Sequence, residues 1–200
     1  MLLLRCFQFA VFTLLLGIAG CASHGPQTQP VQTTQLAVKR YWQAEGKIAL
    51  AAKNYQTNAS FDWQQSGDNY KLRFFGPFGL GSAWLVKSGK QVSFEDQEHG
   101  KQVAGSPEQL MAKALGWQVP ITELQHWIKG VPAPSAAVSA STQDAQGNLA
   151  SLDQLGWHIL YSDYRQQNGW LLPSKLVATR DAVKIVMVTK IWTLDAPLAH

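Results

Sequence analysis

A mostly β domain of antiparallel strands with a few α-helices is the fold class this chain predicts, and three observations carry it. Apolar and polar residues alternate in short stretches along much of residues 41 to 194, which is the period of a sheet with one dry face and one wet face. Gly- and Asp-containing turn signals separate several of these stretches at hairpin distance. Helical spacing, three and four apart, appears only in two stretches between residues 106 and 129.

Ahead of the domain lies a leader. Arg5 precedes an apolar run from Phe7 to Ile18, too short for a comfortable membrane span. The run leads into Leu14-Leu15-Leu16-Gly17-Ile18-Ala19-Gly20-Cys21, in the form of a bacterial lipoprotein signal. Ile18-Ala19-Gly20-Cys21 resembles the lipobox, in which cleavage falls before the cysteine and the new N-terminus is acylated. The alternative is an ordinary secretory peptide with a cysteine at its cut. One acyl chain binds a membrane marginally, at about 0.8 kcal/mol per buried methylene, whereas two or three hold stably. Cys6 would leave with the leader, so Cys21 remains the sole thiol and no disulfide forms within the mature chain. Lipoprotein sorting, as that resemblance implies, reads the residue after the cysteine; here Ala22 stands in place of an inner-membrane Asp and points to the outer membrane.

Removing residues 1–20 leaves 180, enough for one domain with a sizeable core. Residues 21–40 read as a lipidated linker, because Ala22 to Gln35 carries no apolar period and one Val. The domain, residues 41–200, opens with Trp42, Ala44, Gly46, Ile48 and Leu50 on one parity. Phe61 and Trp63 then alternate with polar neighbours, and after a Gly67-Asp68 turn Tyr70, Leu72 and Phe74 do the same. These are three consecutive antiparallel strands. Gly76-Pro77-Phe78-Gly79-Leu80 follows, turn chemistry with large apolar side chains. Such a tip needs a partner: the core, another protein or a bilayer.

Strands resume over 82–87 and 91–95, with a further one over 99–104. Ser106-Pro107-Glu108-Gln109 then carries the signals of a helix start, with Leu110, Met111, Ala114 and Leu115 on one face and Gly116 at the end. A second helix is predicted from Pro120 to Lys129 through Ile121, Leu124, Trp127 and Ile128, with His126 facing solvent. Residues 131–150, rich in Pro, Ala, Ser and Gln, read as an irregular connection. Three strands close the chain, over 156–164, 170–180 with Pro173 at an edge or bulge, and 183–194. In the last, Val183, Ile185, Met187 and Ile191 fall on one side, with Val186, Val188 and Trp192 on the other.

The charged fraction is 15%, and all eight Trp follow the leader; such a chain has an aromatic-rich core or an apolar cavity to line. A net charge of +4 is too mild and scattered to argue for nucleic acid. No nucleophile elbow, zinc helix, Walker loop or dinucleotide fingerprint occurs, and His24, His99, His126, His158 and His200 show no ligand spacing. Glu95, Asp96 and Glu98 sit beside His99-Gly100 and read as a hydrophilic hairpin turn. The sequence thus predicts no enzyme, no cofactor and no metal.

The ordered set of these features resembles one family, the outer-membrane lipoprotein receptor LolB. The resemblance rests on the lipobox, Gly46-Lys47-Ile48, Phe61-Asp62-Trp63-Gln64-Gln65, Tyr70-Lys71-Leu72 leading to Gly76-Pro77-Phe78-Gly79, Leu124-x-x-Trp127-Ile128-x-Gly130-x-Pro132, Gly156-Trp157 with Tyr161 and Tyr164, Leu172-Pro173, and the last strand ending in Trp192. It implies a half-open antiparallel β-barrel covering an apolar cavity, with helices packed over the concave face, as in LolA and LolB. It also implies a monomer that takes triacylated lipoproteins from a LolA-like periplasmic carrier and inserts them into the outer membrane without nucleotide. Gly76 to Leu80 match the family's membrane-inserting loop, with Phe78 where Leu is usual. By strand parity, the cavity lining falls to Phe61, Trp63, Leu72, Phe74, Leu85 and Ile185. A LolA-type carrier shares the fold without a lipobox; an envelope assembly scaffold, or a hydrolase with an unrecognised site, are the rival readings.

Overall fold

The first strand of the domain and the last lie side by side at the centre of one antiparallel sheet. The computed structural model describes residues 35–53, 55–76, 81–98, 100–116 and 118–194. The expectations for the leader, for Cys21 and for Pro77, Phe78, Gly79 and Leu80 fall outside those residues. The strands are β1 (Tyr41–Ala52), β2 (Tyr55–Ser66), β3 (Asn69–Phe75), β4 (Ser82–Ser88), β5 (Gln91–Asp96), β6 (Gly100–Ala104), β7 (Val138–Gln143), β8 (Leu149–Gln154), β9 (Trp157–Gln167), β10 (Trp170–Arg180) and β11 (Val183–Leu194). Their order is β6-β5-β4-β3-β2-β1-β11-β10-β9-β8-β7. Each half is a meander, β1 pairs with β11, and the edges β6 and β7 do not meet, so the sheet stays open.

The segment that joins the two edges carries two helices, α1 (Pro107–Leu115) and α2 (Ile121–Trp127). The start of α1 is fixed chemically: Ser106 Oγ accepts the amide of Gln109, Pro107 opens the first turn, and Gly116 takes the left-handed cap. Ile121, Leu124 and Trp127 of α2 are buried. Glu108 of α1 accepts both the amide (3.0 Å) and the hydroxyl (2.8 Å) of Thr122 in α2, which couples the helices.

One face of the sheet is dry. Trp42, Ala44, Ile48, Leu50, Phe61, Trp63, Tyr70, Leu72, Leu85, Phe94, Ile185 and Met187 are buried there with the helices in one core. At one end of that core, ring centroids of Trp42 lie 5.3 Å from Trp63 and 5.5 Å from Trp192.

Three expectations are corrected. Residues 131–150 are not a plain connection, since they include β7 and the start of β8. All six residues of β7 are exposed, so an edge strand of small polar residues leaves no alternation to read. The facing of β11 reverses past a β-bulge: Glu45 pairs with Ile191 but Gly46 with Thr189, so Lys190 is the extra residue. Trp192 therefore turns inward at 3% exposure, and Ile191 turns out at 53%. The bulge sits against Gly46, where a Cβ would fall 2.0 Å from the Val188 carbonyl oxygen. His126 is half-buried rather than solvent-facing, and burial together with the Lys129 charge pushes its pKa down to about 4.

Pro173 falls where β10 pairs with β9 alone, because the ladder to β11 begins at Lys175. A missing amide costs nothing there. Asn168 and Gly169, both at positive φ, make the two-residue hairpin from β9 to β10.

Candidate functional site

Antiparallel order divides the chain's turns between two ends of the sheet. The β1–β2, β3–β4 and β5–β6 connections lie at one end, and the β2–β3, β4–β5 and β9–β10 turns at the other. A cavity of about 330 Å³ opens at the first end, between the dry face and the helices. Ile48, Leu50, Trp63, Leu72, Phe74, Phe94 and Met187 supply its sheet wall, and Met111, Val119, Ile121 and Leu124 its roof. Ala59, Ala83 and Ala114 also line it. Three short side chains in one lining leave space that larger ones would fill, since interiors otherwise pack densely.

The polar groups of the wall are Tyr55, Thr57, Asp96 and Glu98, all from the open end. Asp96 Oδ1 accepts the amide of Glu98 at 3.1 Å, so the acidic stretch is also the hairpin turn expected of it. Among the described residues no Lys, Arg or His is in the wall. Among the described residues no cluster of His, Cys, Asp and Glu could hold a metal ion. An apolar chamber with a polar, anionic mouth is suited to hold hydrocarbon by burial.

The cavity floor is tied down by a buried polar relay. Trp63 Nε1 donates to Gln65 Oε1 (2.9 Å), and Gln65 Nε2 donates to the Gly67 carbonyl (2.9 Å) and to Gln125 Oε1 on α2 (3.0 Å). Gln65 is 2% exposed and thereby joins the sheet to the roof. Tyr70, buried nearby, has its phenol pKa raised by desolvation first and by the Glu108 carboxylate second.

Of the six side chains that parity singles out, Trp63, Leu72 and Phe74 border the cavity. Phe61, Leu85 and Ile185 share the same face, at 1%, 0% and 0% exposure, and belong to the packing beside it. The helical contributors Met111, Ala114, Ile121 and Leu124 were visible in the sequence only as apolar helix faces. Ala59 shares the parity of Phe61 and Trp63, but nothing marks it or Ala83 as a cavity former, because a cavity-forming alanine looks like any other.

Phe75 at the end of β3 and Ser82 at the start of β4, which flank the apolar stretch 76–80 in the sequence, stand at the cavity's open end. The Gly76 amide donates to the Gly81 carbonyl at 3.2 Å, which closes the base of the connection. At that base, on the outer face, the Arg73 guanidinium lies 5.0 Å from the Phe75 ring and 5.2 Å from that of Trp84, which is 40% exposed. Among the described residues no helix is long and apolar enough to cross a membrane.

The family described as outer membrane lipoprotein LolB matches residues 40–192. The outer-membrane lipoprotein LolB of Pseudomonas fluorescens is 37% identical over 195 residues, covering 92% of this chain and 95% of that one. That of Pseudomonas aeruginosa is 36% identical over 197 residues, covering 94% and 96%. Among solved structures, a LolA superfamily protein of Nitrosomonas europaea superposes with a TM-score of 0.55 at 9% identity, covering 84% of this chain and 92% of that one. A protein of the DUF1329 family from Desulfovibrio piger gives 0.55 at 8% identity, with 84% and 91% covered. At such identities the likeness is one of fold.

Proposed function

The chain belongs to the outer-membrane lipoprotein LolB family, and on that premise we propose that it is an acceptor at the outer membrane that receives acylated lipoproteins from a LolA-like carrier and passes them to the bilayer. The observation that supports this best is that an apolar cavity and the ends of β3 and β4, between which the sequence runs through the apolar stretch 76–80, lie at the same end of the sheet. In this reading Cys21 carries the acyl anchor, the periplasmic leaflet of the outer membrane is the resting place, and the protein acts as a monomer.

Burial drives the transfer. Acyl chains leave the carrier for a tighter cavity here, then leave that for the bilayer, the deeper apolar sink. At about 0.8 kcal/mol per methylene, a triacylated cargo does not cross open water. Mouth-to-mouth contact with the carrier is therefore required. The 330 Å³ chamber is at the low end of ligand pockets, so several chains enter only as α1 and α2 yield from the sheet. Phe78 then leads the passage by burying its ring in lipid.

The decisive experiment mixes purified protein with a loaded carrier and no nucleotide; acylated cargo should change hands. Ala83→Phe, which fills the chamber, should cut acceptance about tenfold with the fold intact, and undiminished acceptance would remove the cavity from the route. Phe78→Glu should accept cargo normally yet deliver it poorly to vesicles. Cys21→Ala should give a soluble protein that still accepts; its failure to accept would make the anchor part of that step.

A further inference from the structure

The residues just ahead of β1 do not trail from the domain. Residues 35–38 form a helical turn and Leu36 is 4% exposed, inside the core. Lys129, 3% exposed, donates from Nζ to the Leu36 carbonyl (3.0 Å) and to the Lys39 carbonyl (3.1 Å), with its ammonium 6.0 Å from the centre of the Trp42 ring. Lys39 lies over the Trp170 ring at 5.0 Å. Arg40 pairs with Asp68 at 2.9 Å, and its carbonyl accepts the amide of Gly67. Every one of these outer partners belongs to the β2–β3 or β9–β10 end of the sheet.

That end is opposite the cavity mouth. Lys47 is level with Ser60, and Ser60 with Phe75 at the root of the apolar connection. From Tyr41 to Lys47 is six steps along β1, roughly 20 Å at about 3.3 Å per residue. We propose that Lys129 and residues 36–40 form a clasp that fixes the tether at the end of the sheet opposite the mouth. The protein then hangs from its anchor with the mouth toward the carrier and must turn over, the tether running along its body, to deliver. The proposal rests on the reading above that Cys21 is acylated and that residues 76–80 meet the bilayer. Cys21 to Leu36 is fifteen steps, at most about 50 Å, which covers the 20 Å and leaves slack for inversion.

The test is the length of the tether in the full, acylated chain on vesicles. Deleting His24–Thr33 keeps Cys21-Ala22-Ser23 and leaves five steps, at most about 18 Å. Uptake from a loaded carrier should stay within twofold of the parent while delivery to the vesicle falls at least tenfold. A Gly-Ser tether of native length should behave as the parent. Lys129→Met in the shortened chain should recover delivery, because freed residues 36–40 add about 16 Å. The same substitution should speed tryptic cleavage after Arg40 about tenfold in a chain that circular dichroism shows folded. Normal delivery by the shortened anchored chain, or unchanged cleavage in Lys129→Met, overturns the clasp. The Cys21→Ala chain separates the two readings: with either tether length it should deliver equally. If it delivers with neither, and the anchored parent does not deliver, the delivery reading fails and the clasp's role fails with it.

Discussion

A handful of side chains are held so closely that substitution should read out directly. Gln154 is 1% exposed and fully engaged: Oε1 accepts Trp127 Nε1 (2.8 Å) and the Ala133 amide (2.9 Å), while Nε2 donates to the carbonyls of Ala133 (2.7 Å) and Ala136 (2.6 Å). Gln154→Leu strands all four partners and should cost about 3 kcal/mol or more in urea unfolding. A lone Gln carries no pattern, which is why the sequence did not announce it. Gly46 is different, since a glycine inside an alternating strand does hint at a bulge or a close approach. Gly46→Ala should lose about 2 kcal/mol or more, because the new Cβ meets backbone, not a flexible side chain. His126 supplies a pH dependence. Its folded pKa of about 4 lies below the ordinary 6.5, so between those values the unfolded chain binds more protons. Stability should therefore fall as pH drops from 6.5 to 4, with solvent screening of this half-exposed ring reducing the slope. His126→Gln should flatten that limb of an acid-unfolding profile.

Among the elements, those with two-residue alternation or a chemical start signal were legible. Ser106-Pro107 places α1 to the residue, and Ser106→Ala should cost about 1 kcal/mol. Because α1 roofs the cavity, the same change should also hasten release of a bound fluorescent acyl probe. β7 escaped notice because Val138-Ser-Ala-Ser-Thr-Gln143 offers neither apolar period nor charge. The reversal of β11 escaped because one extra residue flips every later side chain, and which pair hosts the bulge is set by the facing strand. The site followed the same division. Trp63, Leu72 and Phe74 came from parity, whereas Ala59, Ala83 and Ala114 line the cavity by virtue of what they lack.

In the molecule as a whole, the order of strands sets a gradient of protection. β1 and β11 are paired on both sides at the centre, and β6 and β7 have one open edge each. Amide hydrogen exchange should therefore be slowest in β1 and β11 and fastest in β6 and β7, and uniform protection across the sheet would contradict the open seam. That the sheet is open and roofed by helices was an expectation from family likeness; periodicity alone cannot tell a closed barrel from an open one. Because the first and last strands are neighbours, partners such as Ala44 and Trp192 stand 148 positions apart. A chain exported N-terminus first holds β1 with one side unfilled until β11 has crossed. Such remote pairing makes for slow assembly. Met187, on β11, is among the cavity walls, so the chamber takes its final shape only once that strand is in place, and a half-made receptor cannot seize the lipids around it.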